Sequence, residues 1–580
     1  MVDAYYSSRI RWLVCNIALT IALLLIYYLS IPDTAVLWEL PDETGYLWNA
    51  AWFIGIPWDL IAQTGMYYGY GYSVLLIPVV LISETGYLIV KLSYIVNMIC
   101  IIATFWIYAA IIDYLDNKSN NPYWCLVAFA SCLLPCLRVN AIKVNCETFL
   151  PMMLGAITLL LIHSLNKRYT FFWIFLGIVL SYMPFIHTRT LIIVFSFFLM
   201  LFIAFRSRII SLKEAIITLF AFSVSYVLLF FLKQQILSYQ TYMYHLIRGE
   251  TYSGGNLITN EFIIDRLQSL FSIVNLKKYL LALVSKTIYC IFATFGVCCF
   301  PYYSVIKRIK SKNRVQDKDM VVYFISISAA LTVLAHTFGY LPENIPYLIY
   351  DRYYMYTIPL LICLGTYIYI TEKIRPHNML ILSLFIILIG RLSLLWLDEL
   401  MDLHMTMHID TARISSFALF EPNSYSWATL LALELLFATI FMFILVLLKK
   451  KKAITIALLV VFLIAGQHGV SIINHSRTNF LIDSQIFNYI NANNNDNSIL
   501  FIDDQPEGHQ DMTYTSLQVM INEGKIDLID LNYNSLTDDI EKYKYVITYS
   551  GSTVLNVLKK QYGLNSNITG EHFTLLSYDQ

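Results

Sequence analysis

The sequence predicts a polytopic α-helical membrane protein with one small α/β domain at its C-terminal end. Three observations predict it. Of 580 residues, 58% are apolar and only 13% charged, where a soluble domain carries about 25%, and the mean hydropathy is +0.62. Apolar runs recur along most of the chain, each near the ~20 residues that a spanning helix needs. After His475 the composition changes to that of a soluble domain. Net charge is zero and says nothing about partners; membrane lipids are expected among them and nucleic acid is not.

Thirteen spans are expected, at 12–31, 87–112, 123–138, 147–164, 171–186, 189–205, 215–236, 281–305, 320–340, 353–371, 378–396, 425–448 and 453–472. The first is too long for a signal-peptide core and reads as a retained anchor. Gly69 to Ile82 is shorter and begins with Gly and Tyr, which suits an interfacial or re-entrant piece. Charge decides its place. If it does not span and the N-terminus is cytoplasmic, the inner connections hold Lys118, Lys167 and Arg168, Arg206, Arg208 and Lys213, the run from Lys307 to Lys318, Lys373 and Arg375, and Lys449 to Lys452. Basic residues gather on the inner side of membrane proteins, and Lys277-Lys278 is the exception. The expected protein is therefore a plasma-membrane one, N-terminus in and C-terminal domain out, with residues 1–472 in the membrane module and 473–580 outside.

The first outer connection, Pro32 to Tyr68, has no Lys or Arg but holds Asp33, Glu39, Asp42, Glu43 and Asp59, with Trp38, Trp48, Trp52 and Trp58. Trp favours the headgroup level, and Thr44 to Phe53 is expected to form a helix lying there. The connection from Leu237 to Tyr279 is long enough for a lid. In the tail, apolar runs at Ser498–Asp503, Lys525–Asp530, Tyr545–Tyr549 and Phe573–Tyr578 alternate with helical patterns near 513–523 and 553–562, which predicts an α/β layer. The ten cysteines end at Cys363 and suggest neither a disulfide framework nor zinc.

The strongest constellation is Pro41-Asp42-Glu43-Thr44-Gly45-Tyr46. Two adjacent carboxylates without a nearby cation in sequence suit a general base. The plainer reading is that Asp42 caps the interfacial helix while Glu43 favours its positive end. Farther on stand Tyr67-Tyr68-Gly69-Tyr70-Gly71-Tyr72 leading to Pro78, an outer loop from Arg138 to Glu147, His187-Thr188-Arg189, and Asp351-Arg352-Tyr353. Together with the topology these resemble the GT-C glycosyltransferases, in particular the branch of protein mannosyltransferases and lipid A aminoarabinose transferases.

The resemblance implies a GT-C-like fold and an outer-face transferase. It would move a sugar from a polyprenyl-phosphate donor to a hydroxyl of a glycan, lipid or protein acceptor, with inversion. Asp42 would take the acceptor's proton, with Glu43 beside it. The leaving phosphate gains charge as its bond breaks and needs cations; the candidates are Arg352, Arg189, His187, Lys143 and Lys91. Each has a plainer role. Lys91 would snorkel, Lys143 would sit in a wet loop, His187 and Arg189 would pair with lipid or backbone, and Arg352 would be neutralised by Asp351.

Glu147 is a candidate for positioning the acceptor, for pairing with Lys143, or for a divalent metal, which relatives with diphosphate donors hold in this loop; no Asp-x-Asp accompanies it. Asp398, Glu399, Asp402, His404 and His408 form another acidic and imidazole group, read either as a metal site or as a solvated turn. Asp503-Asp504 follows a strand, where ligands often bind, or is a solvated turn. Two other classes stay open, a lipid or glycan flippase or transporter and a polysaccharide polymerase or ligase. A transporter should place its acids at midplane in broken helices, whereas here they crowd the first outer loop.

Overall fold

The computed structural model describes the chain apart from residues 1, 33–34, 38–41, 68, 249–263, 265, 267, 312–314, 340–351, 373–375, 401–426, 449, 477–482, 494–498, 506–514, 522–525, 532–534, 537, 571 and 579–580. It is a mostly helical membrane fold with a small C-terminal sheet. Among the described residues, eight helices are long and apolar enough to cross a bilayer, nine if one bent pair counts as a span, and shorter apolar helices such as Thr170–Ile186 and Met355–Thr371 stand among them. Their outward faces are lined with exposed Leu, Ile, Val and Phe, which only a lipid surround tolerates on this scale.

The helices used below are α1 (Val2–Tyr28), α2 (Asp42–Phe53), α3 (Ser73–Ile82), α4 (Gly86–Leu115), α5 (Pro122–Cys132), α6 (Pro135–Ala141), α7 (Phe149–Lys167), α8 (Thr170–Ile186), α9 (Leu191–Arg206), α10 (Leu212–Arg248), α11 (Ile273–Ala293), α12 (Cys299–Lys310), α13 (Asp317–Gly339) and α14 (Ile358–Thr371). After them come α15 (Pro376–Leu400), α16 (Trp427–Leu447) and α17 (Ala453–Ser476).

Four expected segments are built differently. The run 123–138 bends by 62° between α5 and α6, because Pro135 has no N–H to continue the ladder. The run 281–305 is broken between α11 and α12, where Phe295 and Gly296 take positive φ (54° and 77°), which no helix interior accommodates. The expected lid from Leu237 is helical as far as Arg248, because α10 runs on for 37 residues, about 55 Å against a hydrocarbon core of about 30 Å. The supposedly wet loop from Arg138 to Glu147 is buried throughout. α3 has ten residues, about 15 Å long, too short to cross.

The two ends of the bundle carry different charge. At one end the basic connections meet. Arg168 pairs with Glu214 at 3.4 Å and Arg308 with Glu372 at 3.0 Å, and Lys307 reaches Glu372 at 3.1 Å. Lys318 donates to the Leu115 carbonyl and the Asn117 side chain, and Lys451 to the Tyr369 carbonyl. α7 runs from this end, at Arg168, to the opposite one, at Glu147, over its 19 residues.

The tail forms a five-stranded sheet of β1 (Ile499–Asp503), β2 (Ile526–Asp530), β3 (Tyr545–Tyr549), β4 (Asn565–Thr569) and β5 (Phe573–Ser577), in the order β2-β1-β3-β5-β4. β1 is parallel to β2 and β3, and β5 is antiparallel to β3 and β4. The sequence showed four of these strands. β4, Asn-Ser-Asn-Ile-Thr, is an almost wholly exposed edge strand and so carries no apolar alternation. Around the sheet stand α18 (Ser484–Asn493), α19 (Thr515–Met520) and α20 (Val554–Tyr562); α18 was not anticipated.

Successive side chains point to opposite faces of a strand. One face, with Leu500, Ile502, Val546 and Leu576, is covered by Val554 and Leu558 of α20. The other, with Ile499, Phe501, Ile547 and Leu575, packs with Leu517, Val519 and Met520 of α19 in the same apolar cluster as the membrane helices. The tail and the bundle thus share one core. Asp504 is accounted for: its carboxylate accepts from Ser552 Oγ at 2.7 Å and from the Thr553 N–H at 3.1 Å, just ahead of α20.

Candidate active site

α2 begins at Asp42, with Glu43 next, so two carboxylates stand in its first turn where the helix dipole favours them. Glu43 is wholly buried and its Oε1 accepts from the Val144 N–H at 2.6 Å. That bond ties the first outer connection to the turn between α6 and α7. Within the turn, Asn97 of α4 donates to the Lys143 carbonyl at 2.6 Å, and its Oδ1 accepts from Tyr72 and Thr148, each at 2.8 Å. The turn also holds Lys143, which is 1% exposed, so it is a buried lysine rather than a solvated one.

The segment Gly69 to Tyr72 locks the neighbouring wall. Gly71 N–H donates to the Phe185 carbonyl at 2.8 Å, and Tyr182 donates back to the Gly71 carbonyl at 2.7 Å. A Cβ on Gly69 would fall against the Ile186 carbonyl oxygen, a backbone atom with nowhere to move. Gly69→Ala is therefore expected to destabilise the protein by more than the about 1–3 kcal/mol typical of overpacking. Thermal unfolding in detergent checks it, with Gly339→Ala, whose Cβ meets nothing within 4 Å, as the control.

At the centre, four charges from four separate stretches of chain join in a row. Glu147, just ahead of α7, accepts through Oε2 from Arg189 Nη2 at 2.6 Å and through Oε1 from Arg352 Nε at 3.1 Å. Arg352 Nη1 in turn donates to Asp42 Oδ2. The guanidinium of Arg189 lies over the rings of Tyr353 and Tyr356, 5.2 and 5.5 Å from their centroids, geometry that favours a cation. Its Nε and Nη1 are buried and find no acceptor among the described residues. A charged donor left so is expensive, and an anion beside Arg189 would satisfy it.

Exposure separates the acids. The side chain of Glu147 is 4% exposed and that of Asp42 is 19%, so Asp42 is the more accessible of the two. His187 stands in the turn before Arg189, and its Nδ1 accepts the Arg189 N–H at 3.3 Å. Burial, and after it the charges of Arg189, Arg352 and Lys233, push its imidazole well below the usual histidine range. His187 is thus neutral at pH 7, and toward an anion it offers a hydrogen bond rather than a charge.

The structure therefore gathers Asp42, Glu43, Lys143, Glu147, His187, Arg189 and Arg352 at one end of the bundle. Lys91, half-exposed on α4, makes no hydrogen bond or ion pair with them among the described residues. Asp351 and the group Asp398, Glu399, Asp402, His404 and His408 lie in stretches or side chains outside the described residues.

The donor set does not fit a divalent metal. Both oxygens of Glu147 are engaged by guanidinium groups, and among the described residues no group of three or more His, Cys, Asp or Glu is gathered. Sequence reasoning missed Asn97 and Tyr356, polar groups inside apolar runs that nothing in the run distinguishes from ordinary interfacial ones, and gave no role to Tyr46, which donates to Cys146 Sγ at 3.1 Å.

No family model matches the chain, and no curated protein does. Solved structures do. ArnT from Cupriavidus metallidurans in the apo state matches with a TM-score of 0.51 at 11% identity, covering 98% of this chain and 97% of that one. ArnT from Cupriavidus metallidurans bound to undecaprenyl phosphate matches with a TM-score of 0.50 at 9% identity, covering 98% of each. The chain has the fold of ArnT. ArnT is an aminoarabinose transferase of the GT-C fold, and the likeness extends from the first helix through the C-terminal sheet. At this identity the ArnT likeness speaks for the fold alone.

Proposed function

We propose that this chain is a GT-C-type glycosyltransferase that moves a sugar from a polyprenyl-phosphate donor to an acceptor hydroxyl. The observation that carries the reading is the row Arg189–Glu147–Arg352–Asp42, which places a partly accessible carboxylate beside two guanidinium groups. A binding likeness supports it: ArnT, whose fold the chain shares, binds undecaprenyl phosphate. In this reading Asp42 takes the proton of the acceptor hydroxyl, whose oxygen attacks the anomeric carbon from the face opposite the phosphate. The anomeric carbon–oxygen bond breaks, its electron pair leaves on the phosphate, and the configuration inverts. Arg189 and Arg352 stabilise the charge that develops there. Glu147 holds both guanidinium groups in place, and Lys143 and the N–H of His187 add donors nearby.

The orientation belongs to the same reading. The end of the bundle that collects Arg168, Arg308, Lys318 and Lys451 is cytoplasmic, which puts the row of charges and the sheet on the outer side of the plasma membrane. Thirteen spans, with residues 473–580 as the outer domain, follow from it. Lys560, exposed on α20, tests the side. A Lys560→Cys variant is expected to react with an impermeant thiol reagent on intact cells; reaction only after lysis would reverse the orientation.

The function is tested with undecaprenyl phosphate as probe and the full chain in nanodiscs. Wild type is expected to bind it, and Arg189→Ala to bind on the order of tenfold less tightly, the loss of one charged hydrogen-bond donor. Wild type that does not bind the probe sinks the reading.

A further inference from the structure

The proposed base and a proposed phosphate cation are bonded to each other in this structure. Arg352 Nη1 donates to Asp42, while its Nε is held by Glu147 Oε1 at 3.1 Å. The row holds two carboxylates, Asp42 and Glu147, and two guanidinium groups, Arg189 and Arg352, which balance. A proton taken up by Asp42 ends its charge pairing with Arg352 and leaves Glu147 facing both guanidinium groups of the row, in a nearly dry site where the Arg352 side chain is 6% exposed. A buried cation that loses its partner is costly. The reaction offers a second anion at that moment.

We propose that Arg352 changes partner during turnover, from Asp42 in the resting protein to the phosphate of the donor. This rests on the function proposed above. The charges balance at each stage. The donor phosphodiester carries one negative charge and Asp42 another. When the acceptor proton moves to Asp42, the acceptor oxygen forms its bond to the anomeric carbon, and the electron pair of the broken carbon–oxygen bond leaves on the phosphate. Asp42 is then neutral and the phosphate monoester carries two charges. One unit of negative charge has in effect passed from Asp42 to the phosphate, and Arg352 follows it. Glu147 keeps Nε fixed, so only the outer part of the guanidinium needs to exchange partners. The arrangement also prevents Asp42 from acting before a donor is seated.

The inference gives an effect of unexpected sign. Asp42 competes with the lipid phosphate for Arg352, so Asp42→Asn, whatever it does to transfer, should bind undecaprenyl phosphate more tightly. Relief of a partly exposed ion pair is worth about fivefold in affinity. Glu43→Gln removes the same unit of charge one residue away, where the carboxylate accepts a backbone N–H, and should change affinity by less than about twofold. The experiment measures undecaprenyl phosphate affinity of the full chain in nanodiscs for these two variants, for Arg352→Ala and for Asp42→Asn with Arg352→Ala. Should Asp42→Asn fail to insert, Asp42→Ser takes its place, with a capping oxygen and no charge.

Tighter binding by Asp42→Asn that vanishes in the Arg352→Ala background supports the exchange. An unchanged or weakened Asp42→Asn overturns it. So does an equal gain with Glu43→Gln, which means net charge alone, and so does a gain that persists without Arg352. Wild-type affinity in Arg352→Ala also overturns the exchange, because Arg352 then does not hold the phosphate, and it removes part of the proposed function with it.

Discussion

Asp42→Asn is expected to insert and fold as wild type does and to lose glycosyl transfer by on the order of 10²–10⁴-fold, the range of a positioned general base. The substitution discriminates because Asn caps a helix about as well as Asp and its amide oxygen still accepts from Arg352. What it loses is basicity. If Asp42 serves only as the first residue of α2, transfer is unchanged. Glu43→Gln should lose less, since the amide oxygen still accepts the Val144 N–H that Glu43 accepts now. Glu43 is one residue away and is itself a base, so the double variant completes the test. The measurement is the initial rate of sugar transfer from a polyprenyl-phosphate donor by protein in proteoliposomes. Full activity in the double variant would remove the first-loop mechanism and leave the fold untouched.

Arg352→Ala should be damaged twice. Its removal takes one preorganised cation from the leaving phosphate, about a hundredfold in rate. It also leaves Asp42 and Glu147, both now bonded to Arg352, facing one another without the cation between them. Removing one member of a buried pair costs about 3–5 kcal/mol, so the thermal midpoint should fall as well. Arg189→Ala should be milder for stability, because Glu147 keeps Arg352 as a partner. Transfer rates and unfolding midpoints, measured on the same preparations, separate the two losses. A wild-type midpoint in Arg352→Ala would mean that the row of charges does not hold together in the membrane.

Much of the fold was legible because the bilayer leaves few options. Every backbone polar group in hydrocarbon must be satisfied within a helix, so apolar length alone marked the helices. The exceptions have local causes. Pro135 bends one run, and Gly296 with Phe295 breaks another. α10 outruns its apolar stretch because Tyr239 and Gln240 meet partners on α2 and in the segment before α3. Tyr239 stacks on Trp48, and Gln240 donates to Asn49 and accepts from Tyr70, at 3.0 Å each.

The candidate site was legible by residue type but not by pairing. Asp42 and Arg352 are 310 positions apart, and no periodicity connects them. The sequence suggested Asp351 as the partner of Arg352 and Lys143 as that of Glu147, each the nearest opposite charge along the chain. Among the described residues the fold pairs Arg352 with Asp42, and Glu147 with both Arg352 and Arg189; Asp351 lies outside them. Arg138 shows the same limit. It is buried, and its guanidinium donates to the Leu463 carbonyl, Ser30 and Gln467, all neutral. A charge at the edge of an apolar run reads as interfacial unless the packing around it is known.

The shared core of sheet and bundle bears on how the protein comes into being. α19 packs between the sheet and the bundle, against α2 and α4, and the backbone of Val519 and Met520 lies so close to Gly86 that a Cβ there would meet it. α2, which bears Asp42, thus leans on residues some 470 positions downstream. As a chain is made from its N-terminus, all the long helices enter the membrane before that support is synthesised. The carboxylate pair therefore reaches its final setting only when the last hundred residues have been delivered to the same side and folded, and a chain that stops at α17 carries every charged residue of the row without the wall that steadies it.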